Sequence, residues 1–326
     1  MILDIRPIRQ EYFSCIDGVL ATAAAYYQRP YELMFMGSLG FKYEPCKEGA
    51  NIFGKKIALG LHNRSRDTLQ RYHQIKIEWC EVDNYLILHD LIIENINNGD
   101  PIGVFLDGFY CPWNPIYQRL HFIHYILVSG YEKDGREYHC YDPYLSTERK
   151  RLSCECLKNG FKEYILFKKE PKANNAILLT NILKDNLYSL DNIKHFDHIH
   201  DNILLFANDL RDKIYIDDEV SEYKGDLKNA MLFLMIDMLG KHRTKFSIAL
   251  QYASGLFNNN QLLALADEIA KSRGLWNSIN TYLYKLYLSR NKKLLDKTHD
   301  KLKEIAELEY AVQINLCELC DSLMER

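Results

Sequence analysis

Three residues of this 326-residue chain could do chemistry together: Cys15, His124 and Asp142, in that order along the sequence. A thiol beside an imidazole is a nucleophile. The imidazole holds the sulfur as thiolate and later protonates the leaving group, while a carboxylate orients the imidazole. Such residues must meet in space, not in sequence. Singly, each has a plainer reading. Free cysteine is among the most buried residue types, a histidine heading a strand is commonly a packed or surface residue, and Asp before Pro usually marks a turn. The order Cys, His, Asp is informative only if each sits at the right end of the right kind of element.

The surrounding patterns supply such elements. F-S-C-I-D-G-V-L-A-T-A-A-A-Y-Y-Q places Cys15 at the start of a helix, where the macrodipole favours a thiolate. The helix is apolar on nearly all faces, so it is buried, and Arg29-Pro30 ends it. A second helix covers about 31–36, before G-S-L-G-F. L-H-N-R-S-R-D-T-L-Q-R-Y-H-Q-I reads as a helix, I-K-I-E-W-C-E-V as a strand, and N-Y-L-I-L-H-D-L-I-I-E-N-I-N-N-G as a helix closed by Gly99. Then P-I-G-V-F-L-D-G-F-Y, H-Y-I-L-V-S-G-Y-E, R-E-Y-H-C-Y-D-P-Y and K-E-Y-I-L-F-K-K are rich in β-branched and aromatic residues, which is a strand signature. K-D-G between two of them predicts a hairpin in an antiparallel sheet. That hairpin sets His124, leading Y-I-L-V, beside Asp142, which ends the next strand and precedes Pro143. His121 lies three residues earlier, where the strand is only beginning.

After Lys168 the character changes again. K-K-E-P-K-A-N-N-A reads as a linker, and nearly everything from about Ala176 onward reads as helix. The expected fold is α+β: a papain-like domain over 1–170, with an amino-terminal helix and an antiparallel sheet, then an all-helical domain over 171–326.

A net charge of −3 gives no electrostatic reason to expect nucleic acid or an anionic membrane as partner. The longest apolar runs, V-L-A-T-A-A-A-Y-Y and M-L-F-L-M-I-D-M-L, are too short to span a bilayer. No signal peptide is seen. Nine cysteines without a regular framework imply reduced thiols and a cytoplasmic protein. The 23 tyrosines either line an amphipathic pocket or reflect composition bias.

The amino-terminal half resembles the butirosin-pathway aminoacyltransferase (BtrH-like) family, a papain-fold group related to bacteriocin-leader cysteine peptidases. The stretches that carry the resemblance are FSCIDGVLATAAAYY, YELMFMGSLGFKYEP, the NGDPIGVFLDGFYCPW run, HFIHYILVSGYEKDG and HCYDPYLS. They span about residues 10 to 150; RGLWNSINTYLYKLYL and EIAELEYA match the family's carboxy-terminal style less specifically. The resemblance implies amide-forming acyl transfer in antibiotic biosynthesis, as in the nonribosomal closthioamide-pathway branch. The acyl group would leave a thioester on the phosphopantetheine of an acyl or peptidyl carrier protein for a small-molecule amine, a diamine or amino-sugar. Cys15 would accept the acyl group, His124 would act as base and acid, and Asp142 would orient it, with no cofactor bound to the chain itself. The peptidase relatives place an oxyanion-hole Gln six residues before the cysteine. Here Arg9 holds that position and Gln10 is one residue off, so Gln10 and the Cys15 N–H are the candidate donors. Within V-F-L-D-G-F-Y-C-P-W, Tyr110 and Trp113 either line an acyl channel or are core, and Asp107 either holds a cationic amine or is a turn residue. Rival readings are a cysteine peptidase or amidase, and a binding module in which Cys15 is only packed.

No metal site is expected. His195, His198 and His200 in H-F-D-H-I-H do not all share a helix face. Cys317 and Cys320 lack a second ligand pair for zinc, and Cys154 and Cys156 show no metal spacing. G-S-L-G-F lacks the lysine and context of a phosphate loop.

Overall fold

The computed structural model describes residues 1–45, 52–59, 64–132, 135–171, 178–187, 199–221, 227 and 229–325. The linker reading at 168–176 lies partly outside these residues, and His195 and His198 lie wholly outside them. In chain order the first elements are α1 (Cys15–Tyr26), β1 (Lys42–Tyr43), β2 (Ile57–Ala58), α2 (Arg64–His73), β3 (Ile75–Glu81) and α3 (Tyr85–Asn97). Next come β4 (Ile102–Leu106), β5 (Tyr125–Tyr131), β6 (Glu137–Asp142), β7 (Ser146–Ser153), α4 (Cys154–Gly160) and β8 (Phe161–Lys169). Helices α5 (Leu179–Leu187), α6 (Ile199–Lys213), α7 (Ile216–Ser221), α8 (Met231–Phe257), α9 (Asn260–Ser289) and α10 (Lys293–Met324) complete the order. The fold is α+β with an all-helical carboxy-terminal region, as the residue patterns predict.

The chain forms two compact units. One joins Met1–Tyr31 to Arg66–Asn174, and the other joins Glu32–Ser65 to Asn175–Arg326. This differs from a single cut near residue 170, because 32–65 clusters with the carboxy-terminal helices. The local reason is packing and hydrogen bonding. A Cβ on Gly54 would lie 2.2 Å from the Leu232 nitrogen, so only glycine fits against the start of α8. The buried Glu219 carboxylate on α7 accepts the N–H groups of Phe53 and Gly54.

In this second unit α8, α9 and α10 pack in succession, with α6 against α10. A fully buried ion pair ties the three long helices together. Arg243 donates to both Glu309 oxygens at 2.8 and 2.6 Å, and Trp276 donates to Oε1 at 3.0 Å. Ser272 reaches the same oxygen. A charge pair stripped of water is tolerable only with such saturation; truncating one partner of a pair like this costs about 3–5 kcal/mol.

The first unit carries a six-stranded sheet in the order β3-β8-β4-β5-β6-β7, with every neighbouring pair antiparallel. The predicted hairpin is β5–β6, with Leu127 opposite Tyr141 and Val128 opposite Cys140. Strand β7 was not anticipated from the sequence. Its residues S-T-E-R-K-R-L-S are polar because it is the sheet's edge, with Leu152 the one residue fully buried.

Helix α1 begins where it does because of its cap. Ser14 is extended and accepts the Asp17 N–H at 3.4 Å, while the Asp17 carboxylate accepts the Ser14 N–H at 2.7 Å. This reciprocal box satisfies donors that a helix start leaves orphaned, and an N-cap is worth about 1 kcal/mol. It fixes Cys15 as the first helical residue. At the far end, the Tyr26 hydroxyl donates to the Gly99 carbonyl and Tyr27 to Asp100, both at about the same short distance (2.8 and 2.7 Å).

Alongside, the helix lies so close to the strand end that a Cβ on Gly18 would fall 2.9 Å from the Pro143 Cβ. Among the described residues no helix is long and apolar enough to cross a membrane. The close approach at Gly18 gives a prediction. Gly18→Val should lower unfolding stability by about 1–3 kcal/mol through overpacking, despite the better helix propensity of valine. Chemical unfolding measures this, and an unchanged stability would contradict the contact.

Candidate active site

His124 directly precedes β5, and its carbonyl accepts the Leu106 N–H at 2.9 Å, so the end of β4 fixes its backbone. Asp142 ends β6 at a register shift between Tyr141 and Asp142. A bulge of this kind re-aims a side chain out of regular alternation. The result is a buried bond of 2.7 Å between His124 Nε2 and Asp142 Oδ2. Cys15, half-buried at the start of α1, acts on the same imidazole, and its side chain is among the groups that raise the His124 pKa. With Nε2 held by Asp142, Nδ1 is the ring nitrogen left for the sulfur. The fold thus brings together His124 and Asp142, two of the three residues singled out by order and element type.

The electrostatics suit a charged imidazole. Burial pulls its pKa down, but the hydrogen bonds to Asp142 and Cys15, with their charges, outweigh burial and raise it from the ordinary 6.5 to about 9. A second cysteine stands close by. Cys111 is fully buried, and its sulfur, a His124 ring nitrogen and an Asp142 oxygen lie within 4.8 Å of one another. Burial pushes the Cys111 thiol far up, the Asp142 charge adds to this, and N–H bonds from Trp113 and Asn114 offset only part. Cys111 therefore stays protonated and enclosed, which makes it a poor nucleophile. Cys15 is the accessible one.

The other sequence candidates take places that their residue types did not disclose. Trp113 donates its indole Nε1–H to Asp142 Oδ2 at 2.8 Å, the oxygen that His124 uses. Its polar edge faces the carboxylate, so it is a positioning residue for Asp142, whatever its ring lines. Asp107 caps the 3-10 turn Gly108–Tyr110 by accepting the Phe109 N–H at 3.0 Å, accepts the Phe122 N–H at 3.1 Å, and pairs with His121 Nδ1 at 2.7 Å. Burial would raise its pKa, but these bonds outweigh it and hold it below the ordinary carboxylate value. Asp107 thereby clasps the segment leading into His124. Tyr110 packs edge-on against Phe109 and lies so close to α4 that a Cβ on Gly160 would fall 2.9 Å from the Tyr110 Cβ. Gln10 is exposed, and its carbonyl accepts the Phe13 N–H at 3.1 Å. Its amide makes no hydrogen bond among the described residues.

Two contributions escaped the sequence reading. The Ser14–Asp17 cap was legible as S-x-x-D before an apolar run. The Trp113–Asp142 bond was not, since no local pattern links residues 29 apart. Leu120, Phe122 and Ile123, shortly before His124 in the chain, are exposed, as is Tyr144, whose ring meets His124 edge-on at 6.3 Å.

Residues 14–143 match the family model described as butirosin biosynthesis protein H, N-terminal. The match covers Cys15, Asp107, Tyr110, Trp113, His124 and Asp142, and Gln10 falls outside it. No curated protein matches the chain.

The raised His124 pKa fixes the sign of a pH effect. A group protonated more readily when folded contributes stability that is complete below its ordinary value, 6.5, and lost as pH rises through about 9. The stability gap between wild type and His124→Gln should therefore narrow across that window, by on the order of 3 kcal/mol. Urea unfolding at a series of pH values reads it. A gap that is flat or widens with pH would contradict the charged imidazole.

Proposed function

We propose, on the premise that residues 14–143 place this chain in the butirosin biosynthesis protein H family, that it is a cysteine-dependent acyltransferase forming an amide bond in a biosynthetic pathway. The observation that carries this reading is the buried imidazole of His124, bonded to Asp142 at 2.7 Å and raised in pKa by Asp142 and by the Cys15 side chain. In the proposed reaction the Cys15 thiolate attacks a thioester carbonyl. The new S–C bond forms as the donor C–S bond breaks, and the departing thiol takes its proton from the His124 imidazolium. An amine then attacks the acyl-enzyme and gives its proton to His124. The Cys15 S–C bond breaks and the thiolate–imidazolium pair is restored. The balance is thioester plus amine to amide plus thiol.

Each neighbouring residue has a part in this scheme. Asp142 orients the imidazole and offsets its charge, and Trp113 fixes the carboxylate. The Cys15 N–H at the helix start is the natural first donor to a developing oxyanion. A thioester donor suits a thiol nucleophile because the two sulfur esters are close in energy. Exposed apolar side chains next to His124 in the chain, Phe122 and Ile123, with Tyr144 against its ring, favour an acyl chain over a polar one and would help exclude water from the acyl-enzyme. The donor would be carried on the phosphopantetheine of a carrier protein, and the acceptor would be a small amine.

The test uses an acyl N-acetylcysteamine thioester as a minimal mimic of the phosphopantetheine donor. Intact-mass spectrometry should find one acyl group on Cys15, absent in Cys15→Ala and slowed at least about 100-fold in His124→Ala. Adding a diamine should then release amide faster than buffer releases acid. Acid release unaffected by any amine would instead indicate a hydrolase, and failure of Cys15 to load would leave a binding module.

A further inference from the structure

Cys111, His124 and Asp142 offer sulfur, nitrogen and oxygen donors within 4.8 Å of one another, and all three are buried. They come from three separate segments, so no spacing in the sequence announces them. Catalysis by Cys15 has no use for Cys111, yet its buried sulfur stands beside the same imidazole and carboxylate. In C-P-W-N the backbone N–H groups of Trp113 and Asn114, two and three residues on, work against burial on the Cys111 thiol, and the Asn114 N–H donates to the Cys111 carbonyl at 3.0 Å.

Charge and size point to one ion. A thiolate and a carboxylate together neutralise a divalent cation, which matters where charge would be buried. The mixed sulfur, imidazole and carboxylate set suits zinc above magnesium or calcium. Zinc bonds of about 2.0–2.3 Å place tetrahedral ligands roughly 3.3–3.8 Å apart. The donors must therefore draw in slightly at the sulfur, and the 2.7 Å His124–Asp142 bond must open by somewhat under 1 Å. Three protein ligands leave a fourth position for water.

We propose that Cys111, His124 and Asp142 form a zinc-binding site whose occupation disarms the neighbouring thiol. Zinc takes His124 Nε2 from Asp142, removes the carboxylate that offsets the imidazolium, and leaves Cys15 without its charged partner. The metal replaces the proton of the Cys111 thiol, and no redox step is involved. The binding half of this proposal stands on the three donors alone; the disarming half rests on the Cys15–His124 reading given above.

Cobalt(II), a spectroscopic stand-in for zinc, is titrated into the reduced full-length chain. The sulfur-to-cobalt charge-transfer band should appear, persist in Cys15→Ser, and disappear in Cys111→Ser together with an affinity loss of about 100-fold or more. Zinc should also slow iodoacetamide alkylation of Cys15 in wild type, and do so far less in Cys111→Ser. A band lost in Cys15→Ser but kept in Cys111→Ser would overturn the proposal, since the metal would then sit on the catalytic thiol. Should Cys111→Ser fail to fold, X-ray absorption of zinc-loaded Cys15→Ser decides: one sulfur among nitrogen and oxygen neighbours supports the site, and none or several reject it. The cobalt band reads binding even if Cys15 proves unreactive, so failure of the acyltransfer reading remains a separate result.

Discussion

A single hydrogen bond organises the amino-terminal unit: His124 Nε2 to Asp142 Oδ2, 2.7 Å long and almost wholly out of water. An imidazolium and a carboxylate buried separately would each cost several kcal/mol, so the pair survives only where its remaining lone pairs are also served. They are. The Trp113 indole shares Oδ2, the Leu145 N–H reaches Oδ1 at 3.3 Å, and the Cys15 side chain also favours the charged ring. The two partners meet because an antiparallel hairpin sets the start of one strand against the end of the next, and a bulge at Asp142 turns its carboxylate inward. Shifting that register by one residue would reverse which face each side chain meets.

The third member reaches this pair by a different route. The Ser14–Asp17 box decides where α1 begins, the missing Cβ of Gly18 lets the helix rest on Pro143, and the tyrosines at its end tie it to the turn before β4. Three small constraints, a cap, a close packing contact and a pair of hydrogen bonds, thus set where the helix that carries Cys15 begins and lies. The helical unit relies on a different device, a saturated buried ion pair between Arg243 and Glu309. Both units place their buried charge where several donors converge on one carboxylate.

Much of this could be read in the residues. Alternating β-branched and aromatic runs marked β5, β6 and β8, and the apolar, alanine-rich run after Cys15 marked a buried helix, because both patterns report burial directly. The order Cys15, His124, Asp142 was legible because each stands at an element boundary that local chemistry determines. What escaped detection was governed by remote contacts. β7 looks like a loop because an edge strand has little apolar face to show. The segment 32–65 reads as part of its sequence neighbours, but Gly54 commits it to Met231 and Leu232. Asp107 could be read as a binding or a turn residue and Trp113 as a channel or a core residue; their hydrogen bonds to Phe122 and Asp142 depend on chain far along the sequence. Charged and aromatic side chains near a site serve either role, and only geometry separates them.

The most direct test of the account is the pH dependence of Cys15 alkylation by limiting iodoacetamide, with the modified cysteine located by peptide mass spectrometry. A thiolate–imidazolium pair predicts fast, selective modification of Cys15 down to about pH 6, lost in His124→Ala. Modification that rises only near pH 8.5, the ordinary range for a free thiol, and runs no faster than at the other eight cysteines would contradict it.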